Sequence, residues 1–194
     1  PLDRDALVVG NMDCIYGALK QLSIELPTAN SYPAPLHHFL HRRVWTSTVG
    51  QLRQAIEAGD CDPVFAKPAD REKRFTGRVF ATHSDLYFVH GVSKQQPLLC
   101  TPVVHFLSEY RVYVVHGEIR SIDWYAGDDS VPICRDTVVA ALAALHEAGE
   151  ARAGFAIDFG VLSSGQTALV EMNDGFAVGA YAIDAGDYTD MVMA

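Results

Sequence analysis

Residues Gly154 to Gly179 read GFAIDFGVLSSGQTALVEMNDGFAVG: two apolar runs, Gly154–Leu162 and Thr167–Asn173, parted by Ser163-Ser164-Gly165-Gln166. Both runs are rich in β-branched and aromatic residues, and the break is short, polar and glycine-containing, so the stretch predicts a β-hairpin. Leu162 then lies opposite Thr167, and the pairing continues through Val161 with Ala168, Phe159 with Val170, Asp158 with Glu171 and Ile157 with Met172. Side chains alternate along a strand, so Ile157, Phe159, Val161, Ala168, Val170 and Met172 share one apolar face. Asp158, Glu171 and Asn173 share the other.

Two carboxylates facing each other across neighbouring strands repel, at a cost of up to about 1 kcal/mol. A hard divalent cation such as Mg²⁺ answers that repulsion, because it takes carboxylate and amide oxygens and completes its shell with water or phosphate. A solvated polar sheet face accounts for the same spacing, and on the residues alone both readings stand.

An Asp on one strand, a short turn and a hydrophobic strand ending Glu-x-Asn resembles the metal-binding end of the ATP-grasp superfamily. These are ligases that activate a carboxylate as an acyl phosphate and hand it to an amine or thiol. The resemblance implies that Asp158, Glu171 and Asn173 hold Mg²⁺, as one ion or two and with Mn²⁺ as a substitute, against the phosphates of ATP. The longer run from Val170 to Tyr181, with Glu-Met-Asn-Asp-Gly-Phe at its head, is similar to an uncharacterised subgroup in which Asn-Asp-Gly-Phe replaces the commoner Asn-Pro-Arg.

Upstream, Pro63-Val64-Phe65-Ala66-Lys67-Pro68 reads as a short strand that delivers a lysine beside a proline. An ammonium at the end of an apolar strand calls for an anion, unless it snorkels to water. The resemblance implies that Lys67 contacts the ATP phosphates and that the loop 69–77, with Arg71, Lys73, Arg74, Thr76 and Gly77, covers them. Arg78–Thr82 and Asp85–His90 are expected to be strands joined by a tight turn. Val103–Leu107 runs into Ser108–Val115, turns at His116-Gly117 and returns as Glu118–Tyr125. Strand periodicity puts Glu109, Arg111 and Tyr113 on one face, where a surface ion pair is the plainer account. The resemblance implies instead that Arg111 reaches phosphate and shares catalysis with Lys67. It also places Glu109 among the nucleotide contacts and makes Pro102–His105, Val104 and His105 included, the hinge that holds adenine.

Toward the N-terminus, Ala6–Val9 is expected as a strand, and Asp13 as the cap of a helix with Ile15, Leu19 and Leu22 inward. The run His37–Arg43 reads as a solvated basic face, since no carboxylate or cysteine accompanies His37 and His41 at ligand spacing. Helices are expected over Thr46–Ala58, stopped by Gly59, and from Asp136 to Gly149. The 194 residues carry 15 basic and 24 acidic side chains, a net charge of −9, which excludes a partner bound through its phosphate backbone and so nucleic acid. Cys14, Cys61, Cys100 and Cys134 form no Cys-x-x-Cys pair and read as reduced, mostly buried thiols of a cytoplasmic protein. No apolar run approaches a membrane span. The chain starts at Pro1, which leaves its native start upstream open.

The fold expected is α+β and ATP-grasp-like: two small lobes of antiparallel sheet with helices packed on them and the ATP site between. Residues 1–60 would be a reduced N-terminal β-α region and 61–194 the ATP-grasp domain, its small lobe near 63–95 and its large lobe near 100–194. The function this implies is an ADP-forming, carbon–nitrogen bond-forming ligase acting on small-molecule or peptide carboxylates and amines. A non-catalytic nucleotide-binding module and a small-molecule kinase are the alternatives, and a homodimer is left open.

Overall fold

The computed structural model describes residues 2–3, 5–6, 8, 10–25, 30–59, 62–70 and 74–194, within which the chain builds two antiparallel four-stranded sheets. Helix α1 (Met12–Gln21) starts two positions earlier than Asp13 would place it, because the Asn11 side chain accepts the Cys14 N–H, and it fully buries none of its residues. Of the strand expected at Ala6–Val9, Leu7 and Val9 lie outside the described residues, and Ala6 and Val8 belong to no strand.

The smaller sheet contains β1 (Trp45–Thr48), β2 (Val64–Pro68), β3 (Arg78–Phe80) and β4 (Pro97–Pro102) in the order β1-β4-β2-β3. Helix α2 (Val49–Ala58) lays Val49, Leu52 and Ile56 against Ala66, Phe80, Leu98 and Cys100. Trp45–Thr48 is thus a strand and not the helix's first turn. Thr48 ends it by taking the cap position: its hydroxyl accepts the Gln51 N–H while the Gln51 side chain accepts the Thr48 N–H. A second capping sequence corrects the strand expected at Asp85–His90. The Asp85 carboxylate accepts the N–H groups of Ala81 and Thr82, which turns 83–89 into a 3₁₀ helix, and the preceding strand stops at Phe80. Because β1 and α2 belong to this lobe, the small lobe reaches N-terminally across the residue-60 boundary expected from the sequence.

The larger sheet contains β5 (Phe106–Val115), β6 (Glu118–Gly127), β7 (Gly154–Leu162) and β8 (Thr167–Asp174) in the order β6-β5-β7-β8. The β5–β6 turn is His116-Gly117, with φ of 49° and 82°, the two left-handed positions of a type I′ hairpin. Helix α3 (Arg135–Glu147) and a 3₁₀ helix at 34–40 cover one face. Val138, Ala141 and Leu145 meet Val112, Ile157 and Phe159 there, joined by Leu36 and Leu40. The segment around His37 is two-faced: His37, His38, His41 and Arg43 are exposed, as a solvated basic face requires, while Leu36, 0% exposed, and Leu40, 3% exposed, enter the core. Helix α4 (Ala185–Met193) seals part of the opposite face through Met191 against Tyr113, Val115 and Ala156. All three described cysteines are free, but only Cys100 is buried; Cys14 and Cys134 are exposed, and Cys61 lies outside the described residues.

The hairpin β7–β8 pairs as predicted at one end, Asp158 with Glu171 and Ile157 with Met172, but slips by one toward the turn: Phe159 with Leu169, Gly160 with Ala168, Val161 with Thr167. Val170 is the extra residue of a β-bulge. Leu169, fully buried, enters the core in its place, and Ala168 sits opposite Gly160 on the Asp158 side of the sheet. Leu169 and Met172 are three positions apart yet share one core, which a strand of period two permits only with such an insertion.

Candidate functional site

Two clefts lie between the lobes. One, of about 290 Å³, has walls of Phe65, Val79, Val104, Phe106 and Val170, with Tyr32, Arg42 and Glu109 around them. The other, of about 370 Å³, is lined by Lys67, Asp70, Thr76, Gly77, Asn173 and Asp174 among others. Phe65 and Glu171 line both, so the apolar and polar spaces meet along those two residues. Gly77 is set close over β2: a Cβ there would stand 2.9 Å from the Phe65 ring and 3.0 Å from Lys67 Cβ.

The carboxylates predicted to face each other do so, and each has a cation. Arg111, opposite Asp158 on β5, donates from Nε to Oδ1 and from Nη2 to Oδ2, both at 2.8 Å. Lys67 reaches across from the small lobe and donates to Glu171 Oε2 at 2.5 Å, while the Asn173 amide donates to Oε1 at 2.9 Å. The repulsion inferred from the sequence is thus met inside the protein by two side chains, a partnering that strand periodicity alone did not reveal. Burial pushes the Asp158 carboxyl up; Arg111 pulls it down, but Glu171 and Glu109 add to the rise and the net direction is upward. Burial pushes Glu171 up as well, yet Lys67, Asn173 and Arg111 outweigh it and hold that carboxyl below its ordinary value. Two facing acids are driven apart in this way.

Beside the pair, Tyr125 donates its hydroxyl to Glu109 at 2.9 Å and stacks on Tyr181 with ring centroids 5.1 Å apart. The Arg111 guanidinium stands 5.0 Å from the Tyr181 ring centre. Of the residues singled out from sequence, Lys67, Thr76, Gly77, Glu171 and Asn173 line the polar cleft, and Val104 and Glu109 the apolar one. Arg111 and Asp158 line neither, being packed against each other, and Asp158 is 2% exposed. His105 is exposed and lines neither cleft. Lys73 and Arg71 lie outside the described residues. The sequence reading missed the cleft walls Phe65, Val79 and Phe106, and it missed Arg42. Phe65 could have been found, since period two puts it on the face of Lys67.

As a donor set, Asp158, Glu171 and Asn173 offer oxygens only, which suits a hard, oxygen-seeking cation. Among the described residues no three His, Cys, Asp or Glu side chains gather as a metal site, so an ion here would take the Asn173 amide as its third protein ligand. Among these residues, too, no helix is long and apolar enough to cross a membrane.

The fold is that of the ATP-grasp class. D-cycloserine synthetase DcsG aligns with a TM-score of 0.54 at 13% identity, over 81% of this chain and 66% of that one. A RimK domain protein from Sphaerobacter thermophilus DSM 20745 aligns with a TM-score of 0.52 at 15% identity, over 78% of this chain and 59% of its own length. The macrocyclase MdnC from Microcystis aeruginosa MRC, bound to its precursor peptide MdnA, gives 0.51 at 16%, over 80% and 55%. The chain thus spans little more than half to two thirds of these structures, and about half of D-alanyl-alanine synthetase A from Vibrio cholerae, 49%. No curated protein matches the sequence. The family model for an ATP-grasp domain, family 2 of its clade, matches residues 39–191, and the chain belongs to that ATP-grasp family.

Proposed function

We propose that this domain binds ATP between its lobes and, with Mg²⁺, acts as a ligase that activates a carboxylate as an acyl phosphate and joins it to an amine. The observation that carries the proposal is the junction of the clefts at Phe65 and Glu171. A flat heterocycle between Phe65, Val79, Val104 and Phe106 would extend its phosphates into the polar cleft, beside Lys67, Thr76 and Gly77. Backbone groups of 101–104 would border the base, with Glu109 at the polar edge; His105, exposed, is not among the residues lining this cleft.

Lys67 would turn from Glu171 toward phosphate, freeing that carboxylate to join Asp158 and Asn173 as oxygen ligands. Arg111 keeps the Asp158 carboxylate oriented through its paired hydrogen bonds and neutralises charge gathering nearby. Bound there, Mg²⁺ or Mn²⁺ in its stead would offset the charge of the phosphates. A substrate carboxylate oxygen attacks the γ-phosphorus and the bond to ADP breaks; an amine then attacks the acyl carbon, loses its proton to solvent and releases inorganic phosphate. Among the described residues no nucleophilic side chain is asked to form a covalent bond, so the chain's contribution is position and field.

The test is Mg²⁺-dependent ADP release scanned across amino acids and short peptides. ADP formed only with a paired acid and amine supports the ligase. ADP formed with a single hydroxyl substrate makes it a kinase, and nucleotide binding without turnover makes it a binding module.

A further inference from the structure

Arg42 borders the apolar cleft, and it is also tied to the strand that carries Glu171. Its Nη1 donates to Leu169 O at 2.6 Å and to Leu40 O at 3.1 Å, and its Nη2 donates to Val170 O at 3.0 Å. Leu169 and Val170 are consecutive. In a regular strand, consecutive carbonyls point to opposite edges, so one planar group reaches both only where a bulge has turned them to the same side. β8 is the outer strand of its sheet, and its free edge must find partners; Ser31 O takes the Met172 N–H at 3.0 Å, and Arg42 takes the two carbonyls.

The guanidinium is not fully satisfied. Its Nε is buried with no hydrogen-bond partner among the described residues, although the rings of Tyr32 and Phe106, with centres 5.9 Å and 5.8 Å away, offer it cation–π attraction. Burying a cation this way is costly, and an ammonium, a single point of charge, cannot bridge two carbonyls in a fixed plane. The bulge reconciles two demands on β8. If the pairing that runs from Val161 to Phe159 continued unbroken, Asp158 would face Val170 and Glu171 would point into the core with Ile157; the other unbroken register, Phe159 with Val170, keeps Glu171 opposite Asp158 but puts Val170 in the core in place of Leu169.

We infer that Arg42 is a positioning residue of the site: by gripping both carbonyls of the bulge it locks the one-residue slip that lets Leu169 fill the core while Glu171 is held on the face of Asp158 and toward Lys67. The consequence for metal and nucleotide rests on the function proposed above, whereas the lock itself does not. Arg42→Lys retains charge and loses the bridge. Leu145→Ala, a core lesion on α3, serves as a variant weakened elsewhere.

Calorimetry of Mn²⁺ binding in the presence of ADP should show the parent and Leu145→Ala alike and Arg42→Lys weaker by roughly 10- to 100-fold, the usual effect of losing a group that orients a ligand. Hydrogen exchange of the ligand-free proteins should show faster exchange in Arg42→Lys concentrated at 169–173. Parent-like Mn²⁺ affinity in Arg42→Lys, or an equal loss in Leu145→Ala, overturns the inference. If the parent itself binds no Mn²⁺ with ADP, the nucleotide reading falls and exchange decides: protection at 169–173 unchanged in Arg42→Lys overturns the lock, and protection lost there upholds it.

Discussion

Glu171→Gln asks whether the charge balance of the site is contained within the protein. The substitution keeps the shape of the side chain and an oxygen for the Asn173 amide, but it removes the anion that Lys67 meets at 2.5 Å. With Lys67 13% and Glu171 31% exposed, the pair is shielded without being dry, so a net contribution of about 1.5 to 3 kcal/mol is appropriate for its charged hydrogen bond. Against this, losing one of two facing carboxylates relieves up to about 1 kcal/mol of repulsion with Asp158. The balance is a loss of roughly 1 to 2 kcal/mol, which in a chain of this size lowers the melting temperature by about 2 to 8 °C. The loss should depend on pH. Glu171 is held below its ordinary carboxyl value, so its contribution is full above the unfolded value and fades as pH falls through the lower, folded one. Scanning calorimetry of ligand-free parent and variant should therefore show a gap at neutral pH that closes in acid, below about pH 4. In a Lys67→Met background the same change should cost nothing, since only the repulsion remains to be relieved. A Glu171→Gln protein that melts at or above the parent at pH 7 refutes the reasoning, as does a gap that persists in acid.

Titration with ATP should show much tighter binding with Mg²⁺ than with excess chelator, because phosphates and the Asp158–Glu171 pair otherwise meet uncompensated; equal affinity would remove the metal from the site. Gly77→Val should weaken ATP binding in calorimetry while melting changes little, because the added side chain strikes the Phe65 ring and Lys67 at the cleft and not the core. Leu169→Ala should cost about 2 to 5 kcal/mol in denaturant unfolding and Val170→Ala less than about 1 kcal/mol, the reverse of what an unbroken register with Phe159 opposite Val170 requires. Similar costs at both positions would argue that the slip is absent in solution.

Alternation of apolar and polar residues along 154–174, a polar turn between the runs and a lysine closing an apolar strand fix a great deal locally. They are enough to put Asp158 opposite Glu171, to give Lys67 and Arg111 to strands, and to suggest the ATP-grasp class. The errors fall where two neighbouring residues suit the same place. Leu169 and Val170 are both apolar, so the pattern is silent on which enters the core, and the choice is made by Met172 sharing that core three positions on. Thr82 to Asp85 reads equally as strand or cap until Asp85 is seen to take the N–H groups of Ala81 and Thr82. Arg42 was beyond reach, since its partners are backbone carbonyls 127 and 128 residues away, with no side-chain chemistry to mark them. What sequence periodicity determines is the face on which a residue lies. Which faces then meet, Lys67 against Glu171 across 104 residues and Arg42 against the bulge, is decided by how the lobes and the sheet edge pack, a property of the folded chain as a whole.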